Sequence, residues 1–153
     1  MFCSIRVVPM IFICLVGIFL ADTAHAQKHA CTTAEGRRVV DEADRLRTWN
    51  ALYKSYSLYR QCDDGAIAEG YSESVARILV DHWKTLPELD LLTKKDAGFR
   101  HFVLLHVDAT LNTDDVAIVR RRAKRECPSG LDSLCKDLAK EAEAALRENG
   151  IKD

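Results

Sequence analysis

The stretch DAGFRHFVLLHVDATL, residues 96–111, decides the fold class because it is the most apolar part of the chain after the first 26 residues. Placed on a helix, its apolar side chains would occupy nearly every side, namely Phe99, Phe102, Val103, Leu104, Leu105, Val107 and Leu111. A helix that is apolar on most sides is usually buried in the middle of a bundle. We therefore predict a buried central helix over residues 96–111.

The sequence on both sides of this stretch also predicts helices. Apolar residues recur at three- and four-residue steps, and start and stop signals bound segments at 33–46, 48–59, 66–83, 87–95, 112–127 and 131–149. In the first segment the periodicity places Val39, Val40, Ala43 and Leu46 on the buried side. No alternating strand pattern of useful length occurs. We predict an all-α fold, a single irregular bundle of about six helices.

The N-terminal residues have the features of a secretory signal peptide. Arg6 precedes a nearly continuous apolar run over residues 7–21, and small residues follow at Ala24 and Ala26. A membrane anchor is the alternative, but a spanning helix needs about 20 apolar residues. We predict cleavage between Ala26 and Gln27, a signal peptide at 1–26, a single helical domain at 27–153, and a periplasmic or secreted protein without stable membrane insertion.

Four cysteines follow the predicted cleavage site: Cys31, Cys62, Cys127 and Cys135. An even number in an oxidising compartment predicts two disulfides. Cys127 and Cys135 flank the turn at 128–130, which leaves Cys31 with Cys62. One continuous helix would hold that second pair about 46 Å apart, so the pairing requires a hairpin near Arg47 and Thr48. Four cysteines allow three connectivities, and the continuous helix stays open as the alternative.

Composition and motifs argue against several classes of function. The net charge is −1, whereas nucleic-acid binding needs a basic excess to neutralise phosphates. The cysteines and histidines lack zinc-site spacing, and no catalytic or phosphate-binding motif is present. We therefore predict no metal, no cofactor and no catalytic residue. A hydrolase using Glu69, Glu73 or His82 is retained as an alternative, although His82 continues the apolar stripe of its helix and is expected in the core.

One set of residues carries a resemblance to a known group of proteins. They are the run Cys62-Asp63-Asp64-Gly65, the segment Gly70-Tyr71-Ser72-Glu73-Ser74, Trp83, and the pair Leu86-Pro87. In layout the chain is similar to small secreted helical proteins of Gram-negative bacteria, in particular the periplasmic amidase-immunity proteins of type VI secretion. The resemblance implies a non-enzymatic protein that binds and blocks a toxic partner, often as a homodimer. The additional cysteines depart from the pattern, so no functional residue is transferred.

The leading hypothesis is a non-enzymatic binding protein with a protein partner, of the inhibitor or immunity type. A helical carrier of an apolar small ligand is the alternative. Side chains in segments between helices are not committed to the core and often carry function. We predict that partner contacts involve charges in such segments, namely Asp63 and Asp64, or Lys94, Lys95 and Asp96.

Overall fold

The computed structural model describes residues 30–151, and every regular element within them is helical. This range holds seven α-helices, one in each predicted helical segment, which confirms the all-α prediction. The predicted signal peptide lies outside the described residues. The helices are α1 (Thr33–Val40), α2 (Trp49–Tyr59), α3 (Gly65–Asp81), α4 (Leu86–Lys95), α5 (Ala97–Leu105), α6 (Thr113–Arg125) and α7 (Asp132–Glu148).

Helix α3 lies at the centre of the packing. It contacts α1, α2, α6 and the short 3₁₀ turn Ala43–Arg45, whereas α5 packs mainly against α4 and α7. A side chain at Gly70 would place its first carbon 3.0 Å from the Ala43 Cβ, so this turn approaches α3 closely. The Ser74 hydroxyl donates to the Ala43 carbonyl and accepts from the Leu46 amide. Because Gly70 has no side chain and the Ser74 hydroxyl is hydrogen-bonded, α3 can bury a second face against this 3₁₀ turn, beside its apolar stripe.

The central-helix prediction for residues 96–111 is wrong in its length and in its burial. Helix α5 ends at Leu105, whose side chain is 57% exposed. Residues 106–111 instead form a turn, in which the Asp108 carboxylate accepts hydrogen bonds from the Thr110 amide and hydroxyl. Aspartate competes in this way with helical hydrogen bonding. Val107 and Leu111 are nevertheless buried, so these two residues contribute side chains to the core from the turn that follows α5.

Two other positions depart from the helical stripes read in the sequence. Val40 is exposed because α1 ends there and the chain turns away from the predicted face. His82 is exposed because α3 ends at Asp81 and the His82 backbone leaves the helical conformation. Trp83 is buried in its place. An apolar stripe predicts which side chains face the core only as far as the helix continues, so it fails for residues at or beyond the helix end.

Both predicted disulfides are formed. The Cα atoms are 4.8 Å apart in the Cys31–Cys62 pair and 6.0 Å apart in the Cys127–Cys135 pair. Helices α1 and α2 are separate, with α2 starting after the Thr48 side chain accepts a hydrogen bond from the Ala51 amide. The hairpin near Arg47 and Thr48 is therefore confirmed, and the continuous helix is excluded. Two disulfides indicate an oxidising environment outside the cytoplasm.

Among residues 30–151, no helix combines the length and the apolar character needed to cross a bilayer.

Candidate functional site

The acidic pair predicted to contact a partner is engaged in local structure. The Asp64 carboxylate caps α3 by accepting a hydrogen bond from the Gly65 amide at 2.8 Å. The Asp63 side chain is partly buried, and its Oδ2 lies 3.3 Å from Nε2 of His106. The expectation that both charges lack local partners is wrong. Asp64 stabilises a helix end, and Asp63 belongs to an internal cluster.

The second predicted segment is also largely engaged. Lys94 forms an ion pair with Asp90, with Nζ and Oδ2 at 2.6 Å. The Asp96 carboxylate caps α5 by accepting from the Phe99 amide at 3.1 Å. Lys95 is exposed and makes no hydrogen bond or ion pair with the part of the chain that the structure describes. Of the five predicted residues, Lys95 alone matches the expected uncommitted charge.

Lys95 belongs to a surface that we call the outer face of α4. The opposite side of this helix is buried through Leu86, Leu89 and Leu92. The solvent side carries a leucine, Leu91, which is 66% exposed and is the most exposed large apolar side chain of residues 30–151. The outer face of α4 consists of Pro87, Glu88, Leu91, Lys94 and Lys95. It combines an accessible apolar group with two lysines.

A buried polar cluster, which the sequence did not predict, lies beside α3. The Ser72 Oγ is 2.9 Å from Nδ1 of His106 and 2.8 Å from Oδ2 of Asp108. Ser72 and His106 are only 2% and 3% exposed. The signal that could have located this cluster is the position of His106 between Leu105 and Val107, since a histidine in an apolar run needs a buried partner.

Serine, histidine and aspartate are also the residue types of a hydrolytic triad, but this cluster lacks the other features of an active site. A nucleophile needs an adjacent space in which the reacting atom of a substrate can lie. The Ser72 hydroxyl is enclosed, and it is held between His106 and Asp108. What the arrangement does chemically is join three separate segments of the chain through hydrogen bonds.

The structure does not bring together the residues considered for a hydrolase. Glu69 and His82 are thirteen positions apart near opposite ends of α3, which corresponds to about 20 Å along a helix. Glu73 pairs with Arg77, with Oε1 and Nε at 3.2 Å. The guanidinium of Arg77 also donates to Asp115, and this hydrogen bond raises the pKa of Arg77. Glu73 therefore contributes to a charge network between helices.

His82 lies in a surface cleft of about 620 Å³ where α3 and α6 end. Two side chains of its lining, Arg122 and Trp83, are hydrogen-bonded to backbone carbonyls. Arg122 donates to the carbonyls of Leu79 and Val80, and the Trp83 indole donates to the Glu126 carbonyl. Both carboxylates and cations line this cleft, so its charge favours no class of ligand. Between residues 30 and 151, no group of three or more His, Cys, Asp or Glu side chains is positioned to bind a metal ion.

Comparison of the chain with known protein families, with curated proteins and with solved structures finds no match. The fold and the sites described above are therefore the basis for assigning a function.

Proposed function

We propose that residues 27–153 form a non-enzymatic periplasmic protein that binds and inhibits a secreted enzyme or toxin, in the manner of an immunity protein. Two disulfides and a helical bundle suit a small protein that must stay folded outside the cytoplasm. The resemblance of the segment from Cys62 to Pro87 to amidase-immunity proteins agrees with this role. The observation that carries the proposal is the exposed leucine at the centre of the outer face of α4.

This face suits a partner surface with an apolar pocket and an acidic rim. Transfer of a leucine side chain from water into such a pocket contributes about 1.5–3 kcal/mol. Lysines around an apolar centre guide an acidic partner and affect mainly the association rate. Lys95 is free to do so, because its ammonium group is exposed and has no partner within residues 30–151. The proposal thus retains the predicted Lys94 and Lys95 contacts and adds Leu91, which lies one helical turn before them on the same face.

We expect the substitution Leu91→Asp to weaken partner binding by at least about tenfold, since it removes the apolar contact and adds a charge to be buried. The measurement is calorimetric titration against each candidate secreted enzyme encoded by a neighbouring gene, together with inhibition of the enzyme that binds. Leu58→Asp is the matched control, because Leu58 is also exposed but lies on α2. Equal losses in both variants would place the interface elsewhere. Absence of binding by the unaltered protein would overturn the proposal. A homodimer with Leu91 in its interface would identify a second copy of the chain as the partner of this face.

We further propose export to the periplasm with removal of residues 1–26. The expected N-terminus of the exported protein is Gln27, because Ala24 and Ala26 supply the small side chains that signal peptidase requires. N-terminal sequencing of protein from the periplasmic fraction measures it. A protein that starts at Met1 and remains with the membranes would contradict cleavage and would support an N-terminal anchor.

A further inference from the structure

The side chain of Asn149, at the end of α7, joins this helix to a distant part of the chain. Its amide donates to the Ala109 carbonyl, with Nδ2 and the oxygen 3.1 Å apart. Ala109 belongs to the residue 106–111 turn, and the two residues are 40 positions apart in the sequence. Asn149 is exposed, so water reaches the group that makes this connection.

The residue that follows is Gly150, and an asparagine before a glycine is chemically unstable. The backbone nitrogen of the second residue can attack the side-chain carbonyl carbon of the asparagine and close a five-membered ring. A side chain on the second residue hinders this attack, and glycine has none. Beyond its chain neighbours, no atom lies within 4 Å of the position that a Cβ would take on Gly150. The space beside the reacting nitrogen is therefore open.

In the folded helix end both reacting groups are engaged. The Gly150 amide donates to the Arg147 carbonyl at 3.0 Å, and the Asn149 amide is held by the Ala109 carbonyl. The ring can therefore close only after the last turn of the helix opens. Residues 147–151 are all exposed, so this opening takes no side chain out of the core. Local opening of such a segment costs little free energy and does not require global unfolding.

We propose that Asn149–Gly150 is a self-modification site, at which deamidation releases α7 from the residue 106–111 turn. The Gly150 nitrogen forms a bond to Cγ of Asn149 and gives up its proton. The bond from Cγ to Nδ2 breaks, and the nitrogen leaves with that proton as ammonia. Water then opens the cyclic imide at either carbonyl and gives aspartate or isoaspartate. The two steps together consume one water, release one ammonia and change no oxidation state.

The product cannot keep the connection between the helix and the turn. An aspartate or isoaspartate at this position has carboxylate oxygens in place of the amide donor. These oxygens and the Ala109 carbonyl are all acceptors, so the hydrogen bond is lost. This site goes beyond the proposed binding function and does not depend on it.

The first test is peptide mapping of the purified protein by mass spectrometry during incubation in mildly alkaline buffer, which favours loss of the proton from the attacking nitrogen. Conversion at Asn149 is expected to be at least about tenfold faster than at Asn50 or Asn112. Both controls are exposed asparagines followed by a residue with a side chain, Ala51 or Thr113. Isoaspartate is expected among the products, because the cyclic imide produces it and direct hydrolysis of the amide does not. Equal rates at the three positions, or aspartate alone, would overturn the proposal.

The second test is hydrogen exchange of the backbone amides before and after the incubation. Exchange in the residue 106–111 turn is expected to be faster by at least about threefold in the converted protein, since one hydrogen bond that holds the turn is lost. Asn149→Asp carries one of the products without incubation and should show the same increase. Asn50→Asp is the matched control, because it makes the same chemical change on α2. Exchange that is unchanged in both the converted protein and Asn149→Asp would overturn the release of the turn.

Discussion

Replacing Phe99 with alanine is expected to lower the free energy of unfolding by about 3–5 kcal/mol. Phe99 is fully buried in α5. Its ring lies 4.9 Å from the ring of Tyr53 and 5.3 Å from that of Tyr56, as measured between centroids. Truncation removes these contacts and leaves a cavity that the surrounding helices close only in part. Urea denaturation followed by circular dichroism measures the loss.

Leu105 provides the control for this prediction because it is also an apolar residue of α5 but is 57% exposed. Leu105→Ala should change the free energy of unfolding by no more than about 0.5 kcal/mol. A cost below about 1 kcal/mol for Phe99→Ala would contradict the aromatic packing between α2 and α5.

Removing the Cys31–Cys62 disulfide is the second change with a large expected effect. It closes a loop with a sequence separation of 31, and the chain-entropy relation assigns such a loop about 3.5–4 kcal/mol. The double substitution of both cysteines by alanine avoids a free thiol and avoids a hydroxyl at the buried Cys62 position. Chemical denaturation of this variant, in buffer without reducing agent, should show the lower free energy of unfolding.

The second disulfide is a matched comparison within the same molecule. Cys127 and Cys135 are separated by only 8 positions, and the same relation assigns that loop about 2.5 kcal/mol. Replacing this pair with alanines should therefore cost less than replacing Cys31 and Cys62. A reversed order of the two costs would show that strain or residual structure in the unfolded chain outweighs loop entropy.

Helix positions and cysteine pairing were accessible from the sequence because they depend on short-range rules. Side chains three and four positions apart share a helix face, which located all seven helices, although α1 ends at Val40 rather than at 46 and α5 ends at Leu105 rather than at 111. Cysteine pairing needed one step more. The short separation of Cys127 and Cys135 suggested their bridge, and the remaining pair required the chain to fold back near Thr48.

The candidate site was less accessible, as the two histidines His82 and His106 show. The sequence placed His82 in the core because it continues a stripe, yet α3 ends one residue earlier and the side chain is exposed. His106 is the buried one, and its partners Ser72 and Asp63 are 34 and 43 positions away. Periodicity carries no information over such distances.

The sequence by itself determined that this protein is an all-α bundle with two disulfides, because helix periodicity and cysteine spacing act within short lengths of chain. The tertiary structure alone decided which polar groups meet. Only the packing of α3 against the turns on either side places Asp63, Ser72, His106 and Asp108 in one buried cluster. The packing of the helices also leaves Leu91 exposed to solvent, since no helix among residues 30–151 covers that side of α4. Both results follow from how separate segments approach one another, which no local pattern encodes.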